Sequence, residues 1–240
     1  MEPRIVAENQ WIIAVDKPAG LIAHRDGRND EPSLSEWLGT VRPELIGVGG
    51  AWVSPQGESI VLNGLAHRLD RTTSGIVLVA KTQEAFEYVK AEFKARRLDK
   101  TYHTILFGHR ERDAGEIVAE IMRSKSLPKR WTARPCAPDD PRAAITGWRM
   151  LERLEIRGEP VSYIEAKPQT GRTHQLRVHF SATGNPIVGD SLYGTSESIL
   201  GFARPMLHAY RVSLYLPDGE AVSYAAQLPE DFVAAIGQTP

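Results

Sequence analysis

Hydrophobic and polar positions along this chain fall into short apolar or alternating runs punctuated by Gly and Pro, the pattern of strands joined by turns. Residues 4–8 and 11–15 read as two strands around the polar pair Asn9-Gln10. Pro18 and Gly20 then force a turn within Asp16-Lys17-Pro18-Ala19-Gly20-Leu21. A short helix is predicted over 33–38, with Ser33 as N-cap and Glu36 closing a capping box. The Gly- and Pro-rich stretch 47–57 reads as a loop. Five apolar residues at 76–80 have the length and composition of a strand buried on both faces. Thr82 caps a helix predicted over 83–97, in which Ala85, Phe86, Val89 and Phe93 recur at helical spacing. In the strand at 100–108, Tyr102, Thr104 and Leu106 share one face, and Thr101, His103, Ile105 and Phe107 the other.

The stretch 111–140 has few apolar repeats and many Pro, Arg and Lys residues, and reads as loop-rich with one strand at 115–121. Strands at 143–151 and 161–167 flank the turn Arg157-Gly158-Glu159-Pro160, which predicts a hairpin. A helix is predicted over 173–182, stopped by Gly184 with Pro186 just beyond. Its spacing puts Thr173, Leu176, Arg177 and Phe180 on one face, which draws Arg177 toward the core. A guanidinium there demands a carboxylate or phosphate partner, because it keeps its charge. A closing hairpin (206–216 with 221–225) and a short helix opening at 228–232 complete the chain. Eight or nine strands with helices interspersed predict an α+β fold with a mixed, largely antiparallel sheet.

The 240 residues suit one large domain or two small ones, and are enough to bury a substantial core. A single cysteine, Cys136, excludes an internal disulfide. No stretch approaches the roughly 20 apolar residues of a membrane span, and the start Met1-Glu2-Pro3-Arg4 lacks the features of a signal peptide. The expected location is the cytoplasm. A net charge of −1 argues mildly against a generic nucleic-acid binder, but the basic residues are concentrated between Lys90 and Arg134. That concentration suits either a solvated face or a phosphate-tracking surface. His174 and His179 are five apart and leave the helix on different sides, so no metal is expected. No nucleotide-binding Gly loop is present, and no cofactor is expected.

The candidate chemistry centres on Asp70, which stands between Arg68 and Arg71 at the lip of the apolar run, where flanking cations would hold a carboxylate ionised. The pattern His67-Arg68-Leu69-Asp70-Arg71-Thr72-Thr73-Ser74-Gly75, with an apolar run ending in Ala80-Lys81, resembles the catalytic motif of the RluA family of pseudouridine synthases. Three further segments are similar to that family's motifs, in family order: Lys17-Pro18-Ala19-Gly20-Leu21 with His24 beyond it; Lys100-Thr101-Tyr102 after a basic helix; and Thr170-Gly171-Arg172-Thr173-His174-Gln175-Leu176-Arg177-Val178-His179. Gly189-Asp190-Ser191-Leu192-Tyr193-Gly194 resembles its Gly-Asp-x-x-Tyr-Gly signature, expected to be scaffolding.

The resemblance implies a pseudouridine synthase-like catalytic domain over 1–240 with flanking helices and a central RNA-binding cleft. It further implies a member without an N-terminal S4 domain, because the first strand is predicted at residue 4. The implied activity is isomerisation of a specific uridine in structured rRNA or tRNA, with no cofactor, by a chain expected to be monomeric. Asp70 would be the nucleophile, through attack on the ring, attack on C1′ or glycal formation. Tyr102 would lie against the uracil, Arg177 would pair with Asp70, and Arg68 would fill the gap left by the flipped nucleotide. His67, Arg71, Thr73, Arg172 and His174 are the remaining candidates for substrate binding. Two other classes compete. A non-catalytic RNA-binding or ribosome-assembly factor would not need Asp70, and a hydrolase would need a second catalytic acid or a metal.

Overall fold

Which residues alternate and which are apolar throughout decides how each strand is used. The computed structural model describes residues 2–27, 30–54, 56–127, 129–194 and 200–237. The chain divides into two compact units, Met1–Asp99 with Ala209–Gln227 and Lys100–His208 with Leu228–Pro240.

The first unit contains β1 (Arg4–Glu8), β2 (Ile12–Lys17), β3 (Ala51–Val53), β4 (Ser59–Val61), β5 (Ser74–Ala80), β11 (Leu207–Tyr215) and β12 (Ala221–Ala225). Five of them form a sheet in the order β1-β2-β5-β11-β12. β2 runs antiparallel to β5, with Lys17 opposite Gly75 and Ile12 opposite Ala80. Every residue of β5 is buried, as its apolar run 76–80 requires. Helix α1 (Leu34–Val41) carries the predicted capping box between Ser33 and Glu36. Helix α2 (Gln83–Ala95) is capped by the Thr82 side chain. Ile12, Ile76, Leu78, Val89, Val212 and Leu214 form its main core.

The stretch 47–57 is not all loop. Its residues Ala51–Val53 pair antiparallel with β4, Trp52 opposite Ile60. Three residues are too few to show a period, and Gly49-Gly50 beside them masked the signal.

In the second unit β6 (Asp99–Phe107), β7 (Ala114–Arg123), β8 (Trp131–Pro135), β9 (Ala143–Ile156) and β10 (Glu159–Pro168) form a sheet in the order β6-β10-β9-β7-β8. All of these neighbours are antiparallel. The predicted alternation of β6 is realised, since Leu106 and Tyr102 join one core cluster and Ile105 and Phe107 another. Helix α4 (Glu230–Ile236) buries Phe232 and Ile236 in the second of these.

Helix α3 (Gln175–Ala182) begins two residues later than predicted, after His174 at φ +55°. Gln175 to Phe180 are all buried, so the helix is enclosed on every side rather than along the single predicted face. The region 111–140 is more regular than its composition suggested, because β7 and β8 form a hairpin. Charged positions on it are satisfied by pairing, as where Arg134 bonds Glu120 at 2.5 Å. No helix among the described residues is long and apolar enough to cross a membrane.

Candidate active site

The first unit builds the Asp70 loop onto the head of β5. Leu69 is buried and anchors the loop, while Asp70 beside it is half-buried. The Asp70 carbonyl accepts the Thr73 N–H at 3.1 Å, closing a turn immediately before β5. Gly75 has φ +116°, and a Cβ there would stand 2.2 Å from the Ala209 carbonyl oxygen. Only glycine fits that close approach.

Lys17 is the clamp of this loop. It is fully buried, and its Nζ donates to the carbonyls of Pro18 (2.9 Å), Leu21 (2.8 Å) and Arg71 (3.3 Å). The Gly20 N–H donates to the same Arg71 carbonyl at 2.8 Å. The Lys-Pro-Ala-Gly turn and the Asp70 loop are thereby fastened together by one buried ammonium. The sequence marked this segment as a turn and as a family motif without giving Lys17 a role, although a lysine closing a largely apolar strand was the available signal.

The flanking arginines have partners of their own. Arg68 is exposed, and its Nη1 donates to His24 Nε2 at 3.2 Å. His24 Nδ1 lies 2.7 Å from the Arg25 carbonyl, so that nitrogen carries the proton and the ring is neutral. Burial pushes the His24 pKa down, in keeping with that state. Arg71 bonds the Gly20 carbonyl at 3.2 Å and pairs with Glu31. His67 Nε2 accepts the Leu78 N–H at 2.8 Å, and its ring lies 4.5 Å from that of Phe93. Thr73 is buried. The structure thus gives His67 and Thr73 supporting places within the loop, and leaves Arg68 exposed with His24 as its partner.

The second unit gathers His174, Arg177, Asp190 and Tyr193. Arg177 is buried, and its Nε and Nη2 donate to Asp190 Oδ2 (2.7 Å) and Oδ1 (2.8 Å), a bidentate pair. Asp190 Oδ1 also accepts the N–H groups of Leu192 (3.0 Å) and Tyr193 (3.1 Å). The Arg177 guanidinium lies 5.1 Å from the Tyr193 ring centroid, and the Tyr193 oxygen is 2.7 Å from His174 Nδ1. The Trp131 N–H donates to that same oxygen at 3.0 Å. The carboxylate that a buried Arg177 required is therefore present in Asp190, which the sequence marked only as scaffold.

Tyr102 is half-buried on β6, opposite Ala166 of β10, and packs against the cluster containing Leu176. Arg172 is exposed just before α3, with its N–H bonded to Gln175 Oε1 at 3.0 Å. His179 is fully buried. Its Nδ1 meets Thr146 Oγ1 at 3.0 Å, and its Nε2 has no partner among the described residues. Burial pushes its pKa down to about 4.

A family model described as RNA pseudouridylate synthase matches residues 11–182. The chain is 32% identical over 236 residues to the ribosomal large subunit pseudouridine synthase D of Zymomonas mobilis, covering 95% of this chain and 69% of the relative. It is 34% identical to the protein of that name in Neisseria meningitidis, covering 95% and 58% respectively. The chain thus spans between 58% and 69% of the length of these two curated relatives. Among solved structures, human RNA pseudouridylate synthase domain containing 1 superposes with a TM-score of 0.76 at 28% identity, covering 97% of this chain and 87% of that one.

Proposed function

The chain belongs to the RNA pseudouridylate synthase family, and from that premise we propose that it converts a uridine of structured RNA into pseudouridine with Asp70 as nucleophile. The observation that carries the assignment is the setting of Asp70. A half-buried carboxylate stands on a turn locked by Leu69, Thr73 and the Lys17 clamp, at the head of a wholly buried strand. Such a mounting suits a group that must be presented to a substrate in one orientation.

The isomerisation breaks the bond from C1′ to N1 and forms one from C1′ to C5. N1 gains a proton and C5 loses one, so no oxidant, reductant or external energy is required. Asp70 would act on the uracil ring, on C1′, or by assisting loss of the 2′ proton. Tyr102 would supply a flat surface for the flipped uracil. Arg177 would balance the charge of the reacting carboxylate. Arg68 would occupy the gap left in the RNA, with Arg172 as a further contact. The names of the two bacterial relatives favour large-subunit ribosomal RNA as the target. A monomer acting in the cytoplasm is the simplest setting.

The test is pseudouridine mapping of total RNA from a strain lacking the gene, complemented with wild type or with Asp70→Asn. We expect one site to vanish, to return with wild type, and to stay absent with the variant. The purified variant should unfold at the wild-type temperature. If the variant restores the site, the nucleophile assignment fails and the non-catalytic RNA-binding reading takes its place.

A further inference from the structure

The β3–β4 hairpin plays no part in the roles above, yet it is built with care. Ile60, opposite Trp52, is 6% exposed and pins the hairpin to the body, while Trp52 itself is 40% exposed. Ser35 Oγ donates to the Val61 carbonyl at 2.5 Å, and tethers β4 to α1. At the far end Ser54 Oγ accepts the N–H groups of Gln56 (3.2 Å) and Glu58 (3.1 Å). Gly27 has φ +74°, and a Cβ there would fall 2.3 Å from Ser54 Oγ, so the loop after His24 packs directly on the hairpin.

This packing puts three flat or cationic groups in a row. The Trp52 and His24 ring centroids are 5.8 Å apart at 55°. His24 Nε2 receives Arg68 Nη1 at 3.2 Å. Arg68 has no other partner among the described residues, and it stands exposed on the Asp70 loop. A large aromatic left 40% exposed on a pinned hairpin offers a rigid π-face at little entropic cost. An unpaired nucleobase is the ligand that best uses such a face with a guanidinium near it.

We propose that Trp52 and His24 form a stacking platform for an unpaired base of the substrate RNA, next to the position occupied by Arg68. The proposal rests on the RNA-modifying reading and adds a contact outside the catalytic residues. His24 serves as the spacer that holds both neighbours, the Trp52 ring on one side and the Arg68 fork on the other. The recognised feature is a single-stranded nucleotide flanking the target, since a paired base has no free face to offer.

Fluorescence anisotropy on the full chain, with a fluorescein-labelled single-stranded oligouridylate and a labelled RNA duplex, tests this. Trp52→Ala should weaken oligouridylate binding by roughly 5- to 150-fold and leave the duplex affinity within about twofold of wild type. Trp52→Tyr should recover most of the loss, because the flat ring is what matters. The slope of affinity against salt should not change, as no phosphate contact is removed. Wild-type binding by Trp52→Ala overturns the platform, and so does an equal loss on both probes, which would mark a general disturbance or a protein-docking face. Equal losses in the Ala and Tyr variants overturn it as well. Pseudouridine mapping with wild type separates the two claims: a restored site beside an unaffected Trp52→Ala removes the platform alone, and no restored site removes the enzyme reading.

Discussion

Arg177 shows how a single residue type can announce its need without naming its partner. Helical spacing drew its guanidinium toward the core, and burial of a permanent charge required an acid. The family motif implies Asp70 as a partner. Within its own unit the guanidinium holds Asp190, 13 residues on, whose carboxylate sits in a four-donor cradle. Asp190→Asn removes the charge from a buried bidentate pair and should cost about 3–5 kcal/mol of stability. Urea denaturation measures it directly. A loss below about 1 kcal/mol would mean that the pair is better solvated than its burial indicates. Asp190 was legible only as part of a Gly-Asp-x-x-Tyr-Gly pattern, because nothing local in a turn-rich segment reveals which distant cation it will meet. Lys17 was similarly obscure, since its partners are backbone carbonyls and carbonyls leave no mark in a sequence.

At the scale of elements the sequence was most informative where periodicity was long. β5, β6, α2 and the β9–β10 hairpin all lie where apolar spacing put them. β3 and β8 were missed because they are three and five residues long, and because pairing rather than burial sustains them. β5 carries the sharpest constraint of any element. Its second residue, Gly75, combines φ +116° with a 2.2 Å approach from a Cβ built there to the Ala209 carbonyl. Neither a side chain nor a rotamer change can relieve a clash with backbone. Gly75→Ala should therefore destabilise the protein by at least about 3 kcal/mol and disturb the Asp70 turn beside it. Soluble yield and thermal unfolding give the readout, and a fully stable variant would contradict the geometry.

For the molecule as a whole, charge and acidity set the working range. The near-neutral balance of −1 conceals local groups whose states are far from ordinary. His179 is buried without a partner on Nε2, and its pKa is pushed down to about 4. The unfolded chain protonates this residue near pH 6.5. Above that pH both states are neutral and stability is complete. As the pH falls from about 6.5 to about 4 the unfolded state alone takes up the proton, and stability drops by about 3 kcal/mol. Denaturation midpoints across this window should fall for wild type and flatten for His179→Gln. An equally steep decline in the variant would assign the acid sensitivity to other groups.

Each compact unit is also discontinuous along the chain, and this has a consequence in time. β5 neighbours β11, but β11 is encoded more than a hundred residues later, after nearly all of the second unit. At roughly 5–20 residues per second, a ribosome needs on the order of 10 seconds to deliver it. Throughout that interval the most apolar strand of the molecule waits as an open sheet edge. The emerging polypeptide thus passes through a stage that calls for chaperone shelter, and the strands β6 to β10 have time to pair before the first unit can be completed.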